Sequence, residues 1–348
     1  MKMMKQTKSS FKSALCAGAL LGSVVVAPAA RATAATLTGA GATFPYPIYS
    51  KWFDVYQKTA GVSINYQSIG SGGGIQQLKN GTVDFGASDA PLSNGDMQTM
   101  PGPVVHIPTV AGAVVLSYKL PGVGTGLKLT GDVIAGIYLG QITRWNDPRI
   151  AGLNPGARLP ARAIAVAHRS DGSGTTNIFT NYLKSASPAW AKQVGAGKSV
   201  NWPVGIGGKG NEGVAAVVQQ TPGAIGYVEL AYAVQNHLPY AFVKNRAGAF
   251  VQPSVASVTT AAVGASKAMQ RDVRVSIVNA PGAKAYPISG FTYILVYQHQ
   301  RDAAKGKAVV NFLRWAIHGG QQYAPGLLYA PLPRSVVTIA EAKLRSIH

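Results

Sequence analysis

At three places in this chain a short β-forming run feeds a glycine-rich turn that opens an amphipathic helix. The turns are Gly39-Ala40-Gly41-Ala42-Thr43-Phe44, Gly70-Ser71-Gly72-Gly73-Gly74 and Arg169-Ser170-Asp171-Gly172-Ser173-Gly174-Thr175. Each turn gathers the orphan N–H groups and the positive dipole end of a helix at one point. Glycine lets the backbone come close to a ligand, and Ser and Thr hydroxyls add donors. One such turn is common. Three, each carrying hydroxyls, point to a small anion held between several helix ends.

The elements around these turns alternate. Short strands are expected over 36–38, 62–67, 82–87, 163–167 and 224–229, and helices over 47–58, 129–142, 175–186, 214–220, 303–318 and 336–345. Tyr49, Trp52, Phe53 and Tyr56 recur at helical spacing and read as a core face. Thr130 is positioned to cap the helix that follows it. Residues 195–211 read as glycine-rich loop, and 247–283 carry only a weak Ala/Val/Thr-rich pattern. Alternation of this kind predicts an α/β architecture with largely parallel sheets, whose ligands sit beyond the carboxyl ends of strands. Two long β runs, near 107–118 and 286–297, are candidates for crossing between two lobes with a cleft at their junction.

The N-terminus reads separately. Lys2, Lys5, Lys8 and Lys12 form a basic region, residues 13–30 are apolar, and small-residue sites such as Ala32-Thr33-Ala34 follow, the pattern of a cleaved secretory signal over 1–35. Cys16, the single cysteine, falls inside it, with Leu15 where lipidation calls for a small residue. The remaining chain therefore has no disulfide, thiol nucleophile or cysteine-bound metal. It keeps 27 of the 32 basic residues and all 12 acidic ones, a net of +15. These charges are spread from Lys51 to Arg345, and no nucleic-acid motif accompanies them, so they read as a generally cationic surface.

Several residues carry the chemistry. Arg169 lies two positions before Asp171, which can orient its guanidinium for bidentate contact with an oxyanion. Thr43 and Ser71 sit at helix starts, where capping and ligand contact are both open. Asp89 looks wrong beside an anion on charge alone. It makes sense if the anion carries a proton, because an ionised carboxylate only accepts hydrogen bonds. Hydrogenphosphate has that proton, and sulfate at neutral pH does not. Capping of the segment before Pro91 is the other reading of Asp89.

Longer motifs surround these residues: Thr38-Gly39-Ala40-Gly41-Ala42-Thr43-Phe44-Pro45, Val83-Asp84-Phe85-Gly86-Ala87-Ser88-Asp89-Ala90-Pro91, Asp171-Gly172-Ser173-Gly174-Thr175, Asn201-Trp202-Pro203-Val204-Gly205, Gly207-Gly208-Lys209-Gly210-Asn211 and Gly223-Ala224-Ile225-Gly226-Tyr227-Val228-Glu229. In this order, over about 36–340, they resemble the periplasmic phosphate-binding protein family of the phosphate-specific ABC transporter. The resemblance implies a two-lobed type II periplasmic binding protein fold with mixed, mostly parallel sheets and a cleft between lobes. It implies lobe one over 36–113 and 287–348 and lobe two over 114–286. It further implies inorganic phosphate as ligand, an inner-membrane ABC permease complex as partner, a periplasmic monomer, no catalysis, no cofactor, no metal and no nucleic acid. Its phosphate ligands carry over to Ala42, Thr43, Phe44, Ser71, Asp89, Arg169, Ser173, Gly174 and Thr175, with Asp171 as the partner of Arg169. Gly72 departs from the family, where a second serine is expected in many members.

Other signals are set aside. Gly208-x-Gly210-x-x-Gly213 has dinucleotide-fingerprint spacing but reads as a loop feature without a preceding strand. His168, Asp171 and Ser173 share one turn too tightly to form a catalytic relay. A phosphatase would need a nucleophile beside a base, or a metal, and the six histidines show no metal-ligand spacing. A sulfate or molybdate binder conflicts with Asp89, and a nucleic-acid or surface adhesin would have to rest on net charge alone.

Overall fold

The computed structural model describes residues 36–348, so the expected signal segment lies outside the described residues. Eleven strands are present among them: β1 (Thr36–Gly41), β2 (Ser63–Ser68), β3 (Phe85–Ser88), β4 (Val104–Tyr118), β5 (Lys128–Leu129), β6 (Ala165–Arg169), β7 (Ile206–Gly208), β8 (Ala224–Glu229), β9 (Phe242–Lys244), β10 (Phe250–Val251) and β11 (Ser289–Tyr297). Eight of them follow the order β2-β1-β3-β11-β4-β8-β6-β7, and β10-β9-β5 form a small second sheet.

Strand direction positions the site. β1 runs parallel to β2 and β3, and β6 runs parallel to β7 and β8. Between these two sets lie β11 and β4, antiparallel to each other and to their outer neighbours. The mixed, mostly parallel expectation therefore holds, and in the large sheet the antiparallel pairings belong to the two long runs. Because two antiparallel steps separate β3 from β4 and a third separates β4 from β8, the two parallel sets point in opposite directions. Their carboxyl ends face each other, with Ser88 paired to Tyr293 at one end and Glu229 to Val114 at the other.

β4 is buried along all fifteen residues, as its near-continuous apolar sequence requires. Pro108 cannot donate to the ladder. The register with β11 slips by one residue there, leaving Thr109 as the extra residue of a bulge. Thr109 is buried, and its hydroxyl pairs with Tyr49 OH at 2.7 Å.

Helix Tyr46–Ala60 buries the predicted aromatic face and ends at Gly61, whose φ of 70° is the left-handed conformation of a helix stop. Trp52 anchors that helix by donating to the Gly320 carbonyl at 2.7 Å. The predicted 129–142 helix is shorter, Gly131–Tyr138. It is capped by Thr130 as expected, and the chain reverses soon after it at Gly140 (φ 73°). The weak 247–283 stretch contains helices Val255–Val263 and Ser266–Met269. The predicted loop 195–211 is corrected more sharply. It holds β7, and helix Gly210–Gln220 begins inside it. Its glycines had masked a strand–turn–helix unit.

Candidate functional site

The predicted anion turns leave the facing carboxyl ends of β1, β2 and β6 and open helices Tyr46–Ala60, Ser71–Asn80 and Gly174–Ala186. Thr43, Ser71, Asp89, Arg169, Ser173 and Thr175 are all buried. Ala42 and Phe44 are buried with them.

The first turn is held by its carbonyls. Tyr66 OH donates to Ala42 O at 2.8 Å, Tyr232 OH to Thr43 O at 2.6 Å and Tyr329 OH to Phe44 O at 2.6 Å. With three consecutive carbonyls fixed from outside, the peptide planes of the turn are fixed too. Ala42 N–H is already used, donating to Ala87 O at 2.9 Å. The donors the turn offers are then the amides of Thr43 and Phe44, which pair with no backbone carbonyl among the described residues, and the Thr43 hydroxyl.

Neither Thr43 nor Ser71 caps its helix, because no side-chain cap is made at the start of Tyr46–Ala60 or Ser71–Asn80. Ser71 Oγ instead accepts from Gly174 N at 3.0 Å and from Asp89 N at 3.4 Å, joining three segments. Gly72 N donates to Gly172 O at 2.8 Å beside it. The approach is close enough to demand glycine. A Cβ at Gly174 would lie 2.5 Å from Asp89 Oδ2 and 2.7 Å from Asp89 N. Asp89 does not cap the following helix, Asn94–Gln98, which Ser93 caps. Its Oδ1 accepts from Thr292 Oγ1 at 2.8 Å.

Arg169 ends β6 and lies almost fully buried. Its Nε donates to Asp171 Oδ1 at 2.7 Å and its Nη2 to Asp171 Oδ2 at 2.5 Å, the fork expected from the sequence. Its Nη1 faces Thr175 Oγ1 at 3.4 Å. Asp171 Oδ1 also accepts from Gly210 N at 3.0 Å. Ser173 caps helix Gly174–Ala186 by accepting from Thr176 N, and its own N–H donates to Lys198 O at 2.8 Å.

A fourth turn, at Gly210–Asn211, joins these three. Asn211 Nδ2 donates to Thr43 Oγ1 at 2.7 Å and to Thr175 Oγ1 at 3.1 Å, and its Oδ1 accepts from Glu229 N at 2.8 Å. Thr43 is thereby tied to Asn211, Asn211 to Thr175, and Thr175 to Arg169, across turns that lie far apart in the chain. The dinucleotide-like spacing set aside above does follow a strand, β7, and its glycines serve this junction. Asn211, Tyr66, Tyr232 and Tyr329 are the residues that sequence reasoning missed. The single local signal for Asn211 was its place in the Gly207–Asn211 motif.

Burial pushes the Asp89 carboxyl up to about 7, and the Thr292 hydrogen bond and the Arg169 charge only partly offset this. Burial also raises Asp171, but there the Arg169 hydrogen bonds and charge prevail and hold the carboxyl below its usual range. The site thus pairs one permanent ion pair with one carboxyl poised between its two protonation states. His168 takes no part in a relay. Its Nδ1 lies 3.0 Å from Arg169 O, and its ring stacks on Trp202 at 4.9 Å. Among the described residues, no group of three or more His, Cys, Asp or Glu side chains is placed to hold a metal ion.

Comparison with known proteins agrees with this architecture. The family profile of a PBP superfamily domain matches residues 26–317. Phosphate-binding protein PstS of Pasteurella multocida is 48% identical over 314 residues, covering 90% of this chain and 91% of that protein. Its namesake in Haemophilus influenzae is 47% identical, covering 90% and 94%. Among solved structures, a high-affinity periplasmic phosphate-binding protein bound with phosphate superposes with a TM-score of 0.72 at 23% identity, covering 88% of this chain and 93% of that one, a likeness of fold. On profile, identity and coverage together, the chain belongs to the PstS family of phosphate-binding proteins within the PBP superfamily.

Proposed function

We propose that the protein captures inorganic phosphate outside the cytoplasm and delivers it to an ABC permease in the inner membrane. The observation that carries this reading is the convergence of four strand-to-helix turns, tied through Thr43, Asn211, Thr175 and Arg169 and through Ser71, Gly174 and Asp89. Thr43, Ser71, Ser173 and Thr175 supply hydroxyls, Phe44 and Gly174 supply main-chain N–H groups, and Arg169, held by Asp171, supplies charge. Ala42 shapes the turn, since its own N–H and C=O are both engaged. Asp89 accepts the proton of hydrogenphosphate. Gly174 N now bonds Ser71 Oγ, and an oxyanion seated between them takes that hydrogen bond over.

The lobes follow the break in β4. Residues 104–113 of β4 pair with β11, and residues 114–118 pair with β8. This supports lobe one over 36–113 and 287–348 and lobe two over 114–286, with closure as a hinge motion. The protein acts as a periplasmic monomer released by cleavage of the 1–35 segment, binds no nucleic acid and performs no catalysis.

Calorimetric titration of the purified protein with phosphate, sulfate and arsenate tests the reading. Phosphate is expected to bind at least about 100-fold tighter than sulfate, because an unpaired buried carboxylate against sulfate costs about 3 kcal/mol or more. Equal affinity for the two ions would overturn it.

A further inference from the structure

Glu229 is a fully buried carboxyl to which the phosphate reading gives no role. It ends β8 and caps helix Leu230–Gln235, with Oε2 accepting from Ala231 N at 2.8 Å. Its other oxygen, Oε1, has no hydrogen-bond partner among the described residues. That oxygen lies over Gly112 of β4, where an added Cβ would meet it at 3.3 Å and the Phe44 ring at 2.6 Å. Glu229 forms none of the ion pairs among the described residues. The groups facing it are Tyr329 OH, the N–H groups of Leu230 and Ala231 and, through space, the Tyr232 phenol and the like charge of Asp89. A bare carboxylate in that setting is disfavoured by burial and by the neighbouring acid alike.

Counting hydrogens sharpens the point. Tyr329 OH lies 2.6 Å from Phe44 O and 3.0 Å from Glu229 Oε2. A phenol hydroxyl has one hydrogen. With Glu229 ionised, that one hydrogen is shared between Phe44 O and Glu229 Oε2; with Glu229 protonated, Tyr329 donates to Phe44 O alone and accepts from Glu229. Phe44 belongs to the first anion turn, and Glu229 N donates to Asn211, which grips Thr43 and Thr175. Phe44 and Tyr329 fall in lobe one and Glu229 in lobe two, so these contacts form where the lobes meet.

We propose that Glu229 is a proton-carrying positioning residue. It enters the closed arrangement as the neutral acid, braces the Phe44 peptide through Tyr329, and couples ion capture to uptake of one proton. The inference rests on the phosphate reading above. Opening parts Glu229 from Tyr329 and Phe44 and lets water reach the carboxyl, which returns toward its ordinary acidity. Closure then takes up a proton at any pH between the two values, and affinity falls as pH rises through that window by up to about tenfold per unit.

The test is phosphate calorimetry on the full mature chain at pH 7.5, in buffers of different ionisation enthalpy, for wild type and Glu229→Gln. The amide cannot titrate, and at the Oε2 position it offers Tyr329 a donor or Ala231 N an acceptor, one of the two contacts being given up. Wild type is expected to take up about 0.5–1 more proton per phosphate than the variant, and its affinity to fall relative to the variant from pH 6 to 9. Phosphate and Asp89 titrate in both proteins, so the difference belongs to Glu229. Equal proton counts with parallel affinity profiles would overturn the inference and leave phosphate capture standing. Absence of phosphate binding in wild type would overturn both. A direct measurement does not depend on the variant folding: the Glu229 carboxyl-carbon NMR shift should read neutral acid with phosphate and carboxylate without it. One unchanged protonation state in the two forms sinks the proposal.

Discussion

Asp89 lies near the Arg169 guanidinium, yet burial outweighs that attraction and lifts its carboxyl to about 7. The unfolded chain releases this proton near the ordinary value of 3.8. Between those values the folded protein holds more protons than the unfolded one, so stability is greatest below the unfolded value and is lost as pH rises through 7. Asp89→Asn removes the loss. Without phosphate, the variant should be more stable to unfolding than wild type at pH 8, by about 1–4 kcal/mol, and melt correspondingly higher, with the gap closing at pH 4. The same substitution adds an N–H donor and should strengthen sulfate binding relative to phosphate. A pH-independent difference in Tm, together with unchanged ion selectivity, contradicts the poised carboxyl.

Glycine turns at element ends do the joining, and Gly174 is the one pressed against Asp89. Its N–H reaches Ser71 Oγ only because nothing projects toward Asp89. Gly174→Ala should therefore lower phosphate affinity by at least about tenfold, or 1.4 kcal/mol, while far-ultraviolet circular dichroism stays unchanged. Wild-type affinity in that variant would show that the two turns need not approach so closely. These turns were legible in the sequence because their signal is local: a β run, glycines, a hydroxyl, then a helical period. The braces behind them were not. The tyrosines holding Ala42, Thr43 and Phe44 lie 24, 189 and 285 residues away along the chain. A buried tyrosine at helical or strand spacing looks like any core aromatic. Asn211 was hidden differently, since the glycines around it read as loop until pairing of β7 with β6 made them a strand end. Thr43 and Ser71 left capping and ligand contact undecided as sequence, and the uncapped helix starts settle the first of these.

At the scale of the molecule, the two proposed lobes also meet away from the ion. Lys198 Nζ reaches Asp96 Oδ2 at 3.2 Å, while its own carbonyl accepts from Ser173 N. Arg274, braced by Asp272, donates to Leu92 O at 2.9 Å and to Asn94 Oδ1 at 2.8 Å. If these contacts join the two proposed lobes in a closed state, Arg274→Ala should raise the phosphate release rate by about 3–10-fold and barely change the capture rate, the effect of losing a charge-assisted hydrogen bond worth about 1 kcal/mol. Stopped-flow measurement of both rates checks this, and an unaltered release rate removes Arg274 from the latch.

The proposed division into lobes falls inside β4, whose first part pairs with β11 and whose last part pairs with β8. A boundary drawn there severs a ladder rather than a linker. Neither half owns a complete sheet, and each draws its last strand from the same fifteen residues. Evolution or engineering can exchange the turns at the rim, but it cannot trade one half for another without rebuilding the strand that both inherit.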